Sequence, residues 1–268
     1  MEEIKELKKK ENQEITDAIK DLGAKATPSL KGKLSYLSLL KEQLQSIQDN
    51  TVSGLSKALR NKYFMLYVEI FNKIGNIVKE TSLSNLNSLI SQEEKEKYNI
   101  TIDNEENETC EPINNFWHDA LENSYFFKIN KKDKKIIGFL SDIKIETDPD
   151  ITFITITFFF DQNEYFTNNK ISKKYYIDVI KERVIKTECD KIEWKADDLN
   201  PCFKKKVKKG TNKEKLFEVD SFFDMFDEKK CELDEADSEL EFIKESFIPC
   251  ILEFVLNFKD DSDDDEGN

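Results

Sequence analysis

Residues 151–160 read Ile-Thr-Phe-Ile-Thr-Ile-Thr-Phe-Phe-Phe, and this stretch decides the fold class of the chain. The even-numbered positions from 154 to 160 are all apolar, and Thr155 and Thr157 stand between them. Such alternation is typical of a strand with one face in a core. Residues 136–146 are a second β-rich run, and a Thr-Asp-Pro-Asp turn at 147–150 separates the two runs. Together they predict an antiparallel hairpin.

Outside this hairpin, strands and helices occupy separate parts of the chain. Runs at 173–180 and 191–194 read as further strands, and short helices are predicted near 115–121 and 240–243. Residues 29–79 contain no proline and read as helical. Because strands and helices are segregated along the chain, the predicted fold class is α+β.

The helical stretch 29–79 carries one apolar stripe, with apolar residues at steps of three and four. About 50 helical residues would form a rod of roughly 75 Å, which is far longer than a helix lying on a globule. Since the rest of the chain reads as β-rich, we expect the stripe to pair with a second copy of the chain. An intramolecular bundle is the alternative, and the weak helix formers at 51–54 permit a bend. The predicted dimer contacts are Leu34, Leu37, Leu40, Leu44, Ile47, Leu55, Leu59, Phe64, Ile70 and Phe71.

The negative charge of the chain is concentrated at its C-terminal end. The net charge is −14, and residues 217–268 contain 19 acidic and 4 basic residues. Such a block repels the phosphates of nucleic acid, so direct nucleic-acid binding is not expected. It favours a basic partner or a role in solubility.

The composition also argues against an enzyme, a metal site or a membrane protein. The seven glycines form no phosphate-binding loop, and His118 is the only histidine. The five cysteines are widely spaced, with no Cys-x-x-Cys pair, so we expect free thiols, no metal and no cofactor. The N-terminus is charged, and no run of about 18 apolar residues occurs. We therefore expect a soluble intracellular protein without catalytic activity.

Five stretches, in order along the chain, resemble motifs of the nucleosome assembly protein family, the histone chaperones that include the SET proteins. They are 113–123 (Ile-Asn-Asn-Phe-Trp-His-Asp-Ala-Leu-Glu-Asn), 139–143 (Phe-Leu-Ser-Asp-Ile), 159–168 (Phe-Phe-Asp-Gln-Asn-Glu-Tyr-Phe-Thr-Asn), 191–195 (Lys-Ile-Glu-Trp-Lys) and 221–226 (Ser-Phe-Phe-Asp-Met-Phe). The resemblance extends from about residue 28 to residue 256. Asn114 departs from the family pattern, which has proline at that position, and the acidic tail is short for the family.

This resemblance implies a homodimer of α+β architecture without enzymatic activity. It implies a flexible arm (1–28), a long dimerisation helix (29–80), a connector (81–111), an earmuff-like domain of antiparallel sheet and short helices (112–256) and an acidic tail (257–268). Core histones would bind its acidic surface, for transport and deposition onto DNA. The alternative is a dimeric coiled-coil adaptor or scaffold for a non-histone partner, which should not bind both core-histone pairs.

Carboxylates near the sheet and in the tail are the candidate histone-binding residues. They are Asp142, Glu146, Asp148, Asp161, Asp224, Asp227, Glu228, Asp260, Asp261, Asp263, Asp264, Asp265 and Glu266. Rim charges of this kind set association rate and salt sensitivity more than affinity. For the strand carboxylates the alternative is an ordinary solvated surface, and for the terminal run it is a solubility tail.

Two further signals concern transport and modification. The basic run contains Lys204, Lys205, Lys206, Lys208 and Lys209. The resemblance favours a nuclear-import signal there, and a contact between dimers or a solvated hairpin is the alternative. Ser262 lies among acidic residues, with Asp265 three positions on, which suits an acid-directed kinase. We expect a cytoplasmic protein that shuttles to the nucleus and binds import factors.

Overall fold

A four-stranded antiparallel sheet follows the helical first part of the chain. The computed structural model describes residues 13, 14, 16, 17, 20, 27–49, 57–79, 81–101, 109–207 and 214–257. Before the sheet lie helices α1 (Pro28–Asp49), α2 (Lys57–Val78), α3 (Leu83–Leu89), α4 (Gln92–Lys97), α5 (Phe116–Asn123) and α6 (Lys131–Ile137), and the paired short strands β1 (Thr81–Ser82) and β2 (Thr109–Cys110). The sheet has the order β3 (Leu140–Thr147), β4 (Phe153–Phe160), β5 (Lys170–Asp178), β6 (Arg183–Cys189). After it come the paired strands β7 (Phe203–Val207) and β8 (Glu214–Glu218), a 3₁₀ turn (Phe222–Phe226), α7 (Leu233–Phe242), a π-helical turn (Ile243–Phe247) and α8 (Ile251–Leu256).

The sheet buries one face, as the alternation in β4 predicts. Ile154, Ile156 and Phe158 are each at most 2% exposed. The register places Ile145 of β3 and Lys173 of β5 on either side of Ile156, so both belong to the buried face. Mixed helix and antiparallel sheet is therefore confirmed, and one lysine lies in an otherwise apolar layer.

Some predicted strand boundaries are wrong. Ile136 and Ile137 end helix α6, and the strand begins only at Leu140. Residues 191–194 contribute no strand, because Trp194 makes only an isolated bridge with Phe166. Strand β6 is not among the predicted strands, because its exposed edge position leaves it without a clear apolar alternation.

Two of the motif segments are stabilised by side chains that accept hydrogen bonds from nearby N–H and hydroxyl groups. The Asn163 Oδ1 atom accepts hydrogen bonds from the N–H groups of Tyr165 (3.0 Å) and Phe166 (3.1 Å) and so forms the turn after β4. Asp133 is fully buried and accepts from Ser221 Oγ (2.6 Å) and from the Phe222 N–H group (3.0 Å). Burial raises the pKa of Asp133, although these hydrogen bonds act in the opposite direction.

The first two helices form an antiparallel hairpin rather than one rod. The Lys33 Nζ atom, near the start of α1, donates to the Lys79 carbonyl oxygen just beyond the end of α2, at 2.7 Å. The predicted rod of roughly 75 Å would hold these residues far apart, so that prediction is wrong. The direction changes between α1 and α2, where the sequence has weak helix formers at 51–54; residues 50–56 lie outside the described residues.

Helix α1 is enclosed by its own chain on more than one side. Lys41 is 2% exposed and pairs with Glu253 of α8, and the Tyr98 hydroxyl donates to Ser38 Oγ at 2.9 Å. Of the predicted dimer contacts, Leu34, Leu37, Leu40, Leu44, Phe64 and Phe71 are buried within one chain, and Leu59 and Ile70 are half-buried. The Ile47 side chain and Leu55 lie outside the described residues. The apolar stripe therefore has an intramolecular partner, which was the alternative left open by the sequence.

Helix α2 runs along the free edge of β3 and closes it. The Asn72 amide donates to the Ile145 carbonyl oxygen (2.8 Å) and accepts from the Ile145 N–H group (2.9 Å). Further along, the Asn61 amide donates to the Asp150 carbonyl oxygen at 3.1 Å. These bonds occupy backbone groups that an open edge would offer to another strand.

Candidate acidic interaction surface

Helix α7 and the turn after it carry exposed carboxylates on the side opposite the core. These residues, called here the acidic face, are Asp234, Glu235, Glu241 and Glu245. Three of them follow each other at steps of seven and four, so they lie on one side of the helix. Ala236 and Leu240 point the other way and are buried. The helix thus separates an apolar side from a negatively charged one.

A buried ion pair anchors α7 to the sheet. Lys173 has no exposed surface, and its Nζ atom lies 2.5 Å from Glu239 Oε2. Burial alone would lower the pKa of Lys173, but the Glu239 carboxylate outweighs it and raises that pKa. Burial and the same carboxylate raise the pKa of the neighbouring Tyr175 well above its usual value. The contact between Lys173 and Glu239 therefore joins α7 to β5 of the sheet.

Two further carboxylates connect this segment to the outer edge of β6. Glu228 accepts a hydrogen bond from the Cys189 N–H group at 3.4 Å. Asp237 accepts from the Val184 N–H group. These contacts lie near both ends of β6 and occupy backbone N–H groups at its outer edge, and the Asp237 contact joins α7 to that edge.

Few positive charges neutralise the acidic face. Residues 224–245 contain ten acidic and three basic residues. Lys230 is bound to Asp224 at 2.7 Å, and Lys244 lies 5.4 Å from the centre of the Phe64 ring. A surface of one sign attracts partners of the opposite sign and speeds their association. The arrangement suits binding of a basic protein.

Asp142 is not available to a partner, which corrects its prediction as a contact residue. Its exposed fraction is 2%, and its Oδ2 atom lies 3.0 Å from Lys79 Nζ and 3.4 Å from Lys144 Nζ. The carboxylate also lies directly against Gly75 of α2. Asp142 therefore joins α2 to the sheet, and its position in a strand hid this from the sequence.

Asp148 and Asp224 are half-buried and stabilise local turns. The Asp148 carboxylate accepts from the N–H group and the hydroxyl of Thr152, both at 2.7 Å. Burial alone would raise the pKa of Asp148, but these hydrogen bonds outweigh it and lower that pKa. Asp224 accepts from the Ser221 N–H group at 2.9 Å and caps the 3₁₀ turn. Both carboxylates have structural partners in the chain.

The remaining described candidates are exposed, but the structure does not bring all of them together. Glu146 and Asp161 lie at opposite ends of β3, since Asp161 N–H bonds to the Phe139 carbonyl oxygen. Asp227 and Glu228 precede α7 and adjoin the acidic face. The candidates Asp260, Asp261, Asp263, Asp264, Asp265, Glu266 and Ser262 lie outside the described residues.

The basic run lies on the hairpin formed by β7 and β8. Lys204 and Lys205 are exposed, and Lys206 belongs to β7 by its backbone. Lys208 and Lys209 lie outside the described residues. The paired strands are compatible with each interpretation of this run, and the import role stays a prediction.

The predicted site residues do not include the acidic face itself. Within the acidic block 217–268, the predicted candidates from the described part are only Asp224, Asp227 and Glu228. The spacing of Asp234, Glu241 and Glu245 would have found the missing residues, since acidic residues at helical steps share one side of a helix.

The described residues contain no cluster of three or more metal-ligating side chains. His118 instead lies 2.8 Å from Asp119 and 3.4 Å from Glu122 on α5. No helix within the described ranges is long and apolar enough to cross a membrane.

Comparisons with known proteins place these features in a family context. A family model described as nucleosome assembly protein (NAP) matches residues 33–261. Nucleosome assembly protein 1;4 of Nicotiana tabacum is 28% identical over 215 residues, which is 75% of this chain and 56% of that protein. A putative nucleosome assembly protein of Schizosaccharomyces pombe is 26% identical over 269 residues, covering 88% and 68%.

Solved structures show the same fold. Nucleosome Assembly Protein 1 from Plasmodium knowlesi has a TM-score of 0.50 and 23% identity, and the match covers 87% of this chain and 99% of that one. A likeness at this identity shows the fold alone. This chain spans only 56% of the length of the tobacco relative.

Proposed function

The chain belongs to the nucleosome assembly protein family, and we propose on this premise that it is a histone chaperone of the nucleosome assembly type. It binds core histones through its acidic surface and assists their transport and deposition onto DNA. The observation that carries this proposal is the acidic face of α7, which the Lys173–Glu239 ion pair and the Asp237 contact join to the sheet. A fixed row of carboxylates attracts a basic protein without losing its own order on binding.

The proposed mechanism is electrostatic competition with DNA. Histones bind DNA through basic side chains on phosphates, and that binding releases counterions and weakens with salt. A carboxylate surface occupies the same side chains with fewer and weaker contacts, so it prevents non-specific association and yields when DNA offers a better site. Such a cycle needs no catalytic group.

A first test compares the acidic face with carboxylates elsewhere on the surface. In the variant Glu241→Gln/Glu245→Gln we expect roughly tenfold weaker binding of a purified core-histone pair at low salt, because rim charges act mainly through attraction. Calorimetric titration of the full chain measures it. The matched control is Asp150→Asn/Asp197→Asn, which removes two exposed carboxylates that are not among the candidate histone-binding residues and should change binding less than twofold.

Two other results would contradict the proposal in different ways. Equal weakening by both variants would mean that net charge, and not the acidic face, governs binding. A wild-type chain that binds neither core-histone pair would remove the chaperone function and favour the adaptor or scaffold for a non-histone partner.

We also propose that the chain forms a homodimer by exchanging α1 between two copies. Helix α1 packs on α2, Tyr98 and α8, and every one of these contacts could be made by α1 of a second chain. Docking of α1 on a second copy would then restore the predicted apolar pairing between copies. The predicted dimer contacts remain the same residues in either arrangement.

Complementary charge reversals test this exchange. Lys41→Glu and Glu253→Lys each place like charges at the α1–α8 contact. When the two variants are mixed, exchange would pair the new glutamate of one chain with the new lysine of the other, and the native Lys41 with the native Glu253. We expect heterodimers to exceed homodimers by about tenfold or more, since two repulsive contacts are relieved. Native mass spectrometry with one tagged chain measures the ratio.

The double variant Lys41→Glu/Glu253→Lys is the control, because it restores the pair within each chain and should behave as the wild type. A mixture of the single variants that stays without heterodimers would show that α1 docks only in its own chain.

Transport and regulation follow as lesser parts of the proposal. The exposed Lys204 and Lys205 support an import signal on the β7–β8 hairpin, read by import factors. A kinase that prefers acidic sequences would add charge at Ser262. The protein would then reside in the cytoplasm and shuttle to the nucleus.

A further inference from the structure

Two aromatic side chains just after α5 are exposed although the chain has an extensive core. Tyr125 is 75% exposed and is the most exposed aromatic among the described residues, and Phe126 is 39% exposed. The Tyr125 backbone has φ of 54°, a left-handed conformation that side chains with a Cβ atom adopt only at a cost. Neither burial nor an intramolecular hydrogen bond of Tyr125 in the described residues explains this arrangement.

Phe126 places this pair beside the acidic face. Its ring stacks on the Phe242 ring of α7, with 4.1 Å between centroids and 3° between planes. Phe242 follows Glu241 directly, and Glu245 lies one turn further on. The exposed aromatic pair is therefore held against the helix that carries the exposed carboxylates.

We propose that Tyr125 and Phe126 form an apolar anchor for the basic protein that the acidic face attracts. The proposal rests on the proposed function and deepens it by naming an uncharged part of the same surface. Aromatic residues give large contact area at low entropic cost and are enriched among the residues that dominate binding energy. The partner segment would insert an apolar side chain next to Tyr125 and direct flanking Lys or Arg side chains to Glu241 and Glu245.

The charge around the anchor decides between possible occupants. Residues 258–268 follow α8 in the sequence, and they contain six acidic residues and one lysine. They would be repelled by the acidic face, and a second copy of the chain would bring another acidic face. A basic partner is attracted to the exposed carboxylates of α7, the helix on which Phe126 stacks.

The two parts of the surface should respond differently to salt. Attraction between charges is screened as the Debye length shortens, whereas burial of apolar surface is not. The carboxylates therefore determine how steeply affinity falls with salt. Burial of the apolar anchor increases the affinity by nearly the same factor at every salt concentration.

Titration of the full-length Tyr125→Ala variant with a purified core-histone pair tests the anchor at about 0.15 and 0.5 M salt. We expect affinity to fall about tenfold at both concentrations, with the slope of log K against log salt unchanged. Glu241→Gln/Glu245→Gln should reduce that slope. The matched control is Ile180→Ala, which removes an 88% exposed apolar side chain in the turn between β5 and β6 and should leave binding unchanged.

Other results would refute either the anchor alone or the anchor together with the proposed function. Wild-type affinity of Tyr125→Ala at both salt concentrations, with weaker binding by the carboxylate variant, would refute the anchor and leave the proposed function. An equal loss in Ile180→Ala would refute the anchor too, because it would show unspecific apolar attraction. If the wild-type chain binds no histone pair, both the function and the anchor fail.

Discussion

Replacement of Glu239 by Gln is expected to lower the free energy of unfolding by about 3–5 kcal/mol, because it leaves a buried ammonium group without its counter-ion. Lys173 has no exposed surface, and its Nζ atom lies 2.5 Å from Glu239 Oε2. The lysine stands opposite Ile156 on the core face of the sheet, and an ammonium group without a partner is costly in such a place. Urea unfolding followed by circular dichroism measures the change.

The double variant Lys173→Met/Glu239→Leu is the control for this prediction. It removes both charges and fills the site with apolar atoms, so much of the stability should return. If Glu239→Gln loses less than about 1 kcal/mol, the pair is not buried in solution and cannot anchor α7. The variant should also weaken histone binding under conditions in which the sheet stays folded, because the acidic face is attached to the sheet through this pair.

Replacement of Gly75 by Ala is expected to lower the free energy of unfolding by about 3 kcal/mol through overpacking. A Cβ atom at this position would lie 2.0 Å from Asp142 Oδ1, and the Asp142 carboxylate is itself fixed by Lys79 and Lys144. Helix α2 would have to move away from β3 and disturb the Asn72 contacts that close the sheet edge. Thermal and urea unfolding measure the loss.

Gly138→Ala is the matched control, because the Cβ atom there meets only backbone oxygen atoms at 3.4 Å and beyond. We expect a change of less than about 1 kcal/mol. Gly75→Ala combined with Asp142→Ala should be less destabilised than the sum of the single variants, since the clash is gone. If the losses in unfolding free energy of the two single variants simply add in the double variant, Gly75 and Asp142 are not in direct contact.

The sequence pattern was sufficient to predict secondary structure and its buried face, because these follow from neighbouring residues along the chain. The alternation in 151–160 predicts β4 and its buried face, and Ile154, Ile156 and Phe158 are buried. The helical steps in 29–79 predict one long helix with an apolar side; the structure has two helices, and α1 and α2 both bury that side. These predictions hold because periodicity depends only on backbone geometry.

Site residues were harder to predict, since exposure and pairing depend on distant parts of the chain. Asp142 and Glu146 occupy the same strand, yet one is buried against Gly75 and the other is exposed. Lys173 resembles any strand lysine in the sequence, and only α7 supplies its carboxylate. No sequence pattern distinguishes these cases, because the distinguishing contacts join residues more than 60 positions apart.

The sequence by itself determined the α+β class, the family motifs and the concentration of negative charge at the C-terminal end, because these follow from local periodicity, residue identity and composition. Only the tertiary structure decided that α1 turns back on α2, that Asp142 is structural and that α7 presents the acidic face. The reason is physical: an apolar stripe, a carboxylate or a charged helix can each find a suitable partner in more than one place. Which partner it has depends on which distant part of the chain packs against it and excludes water.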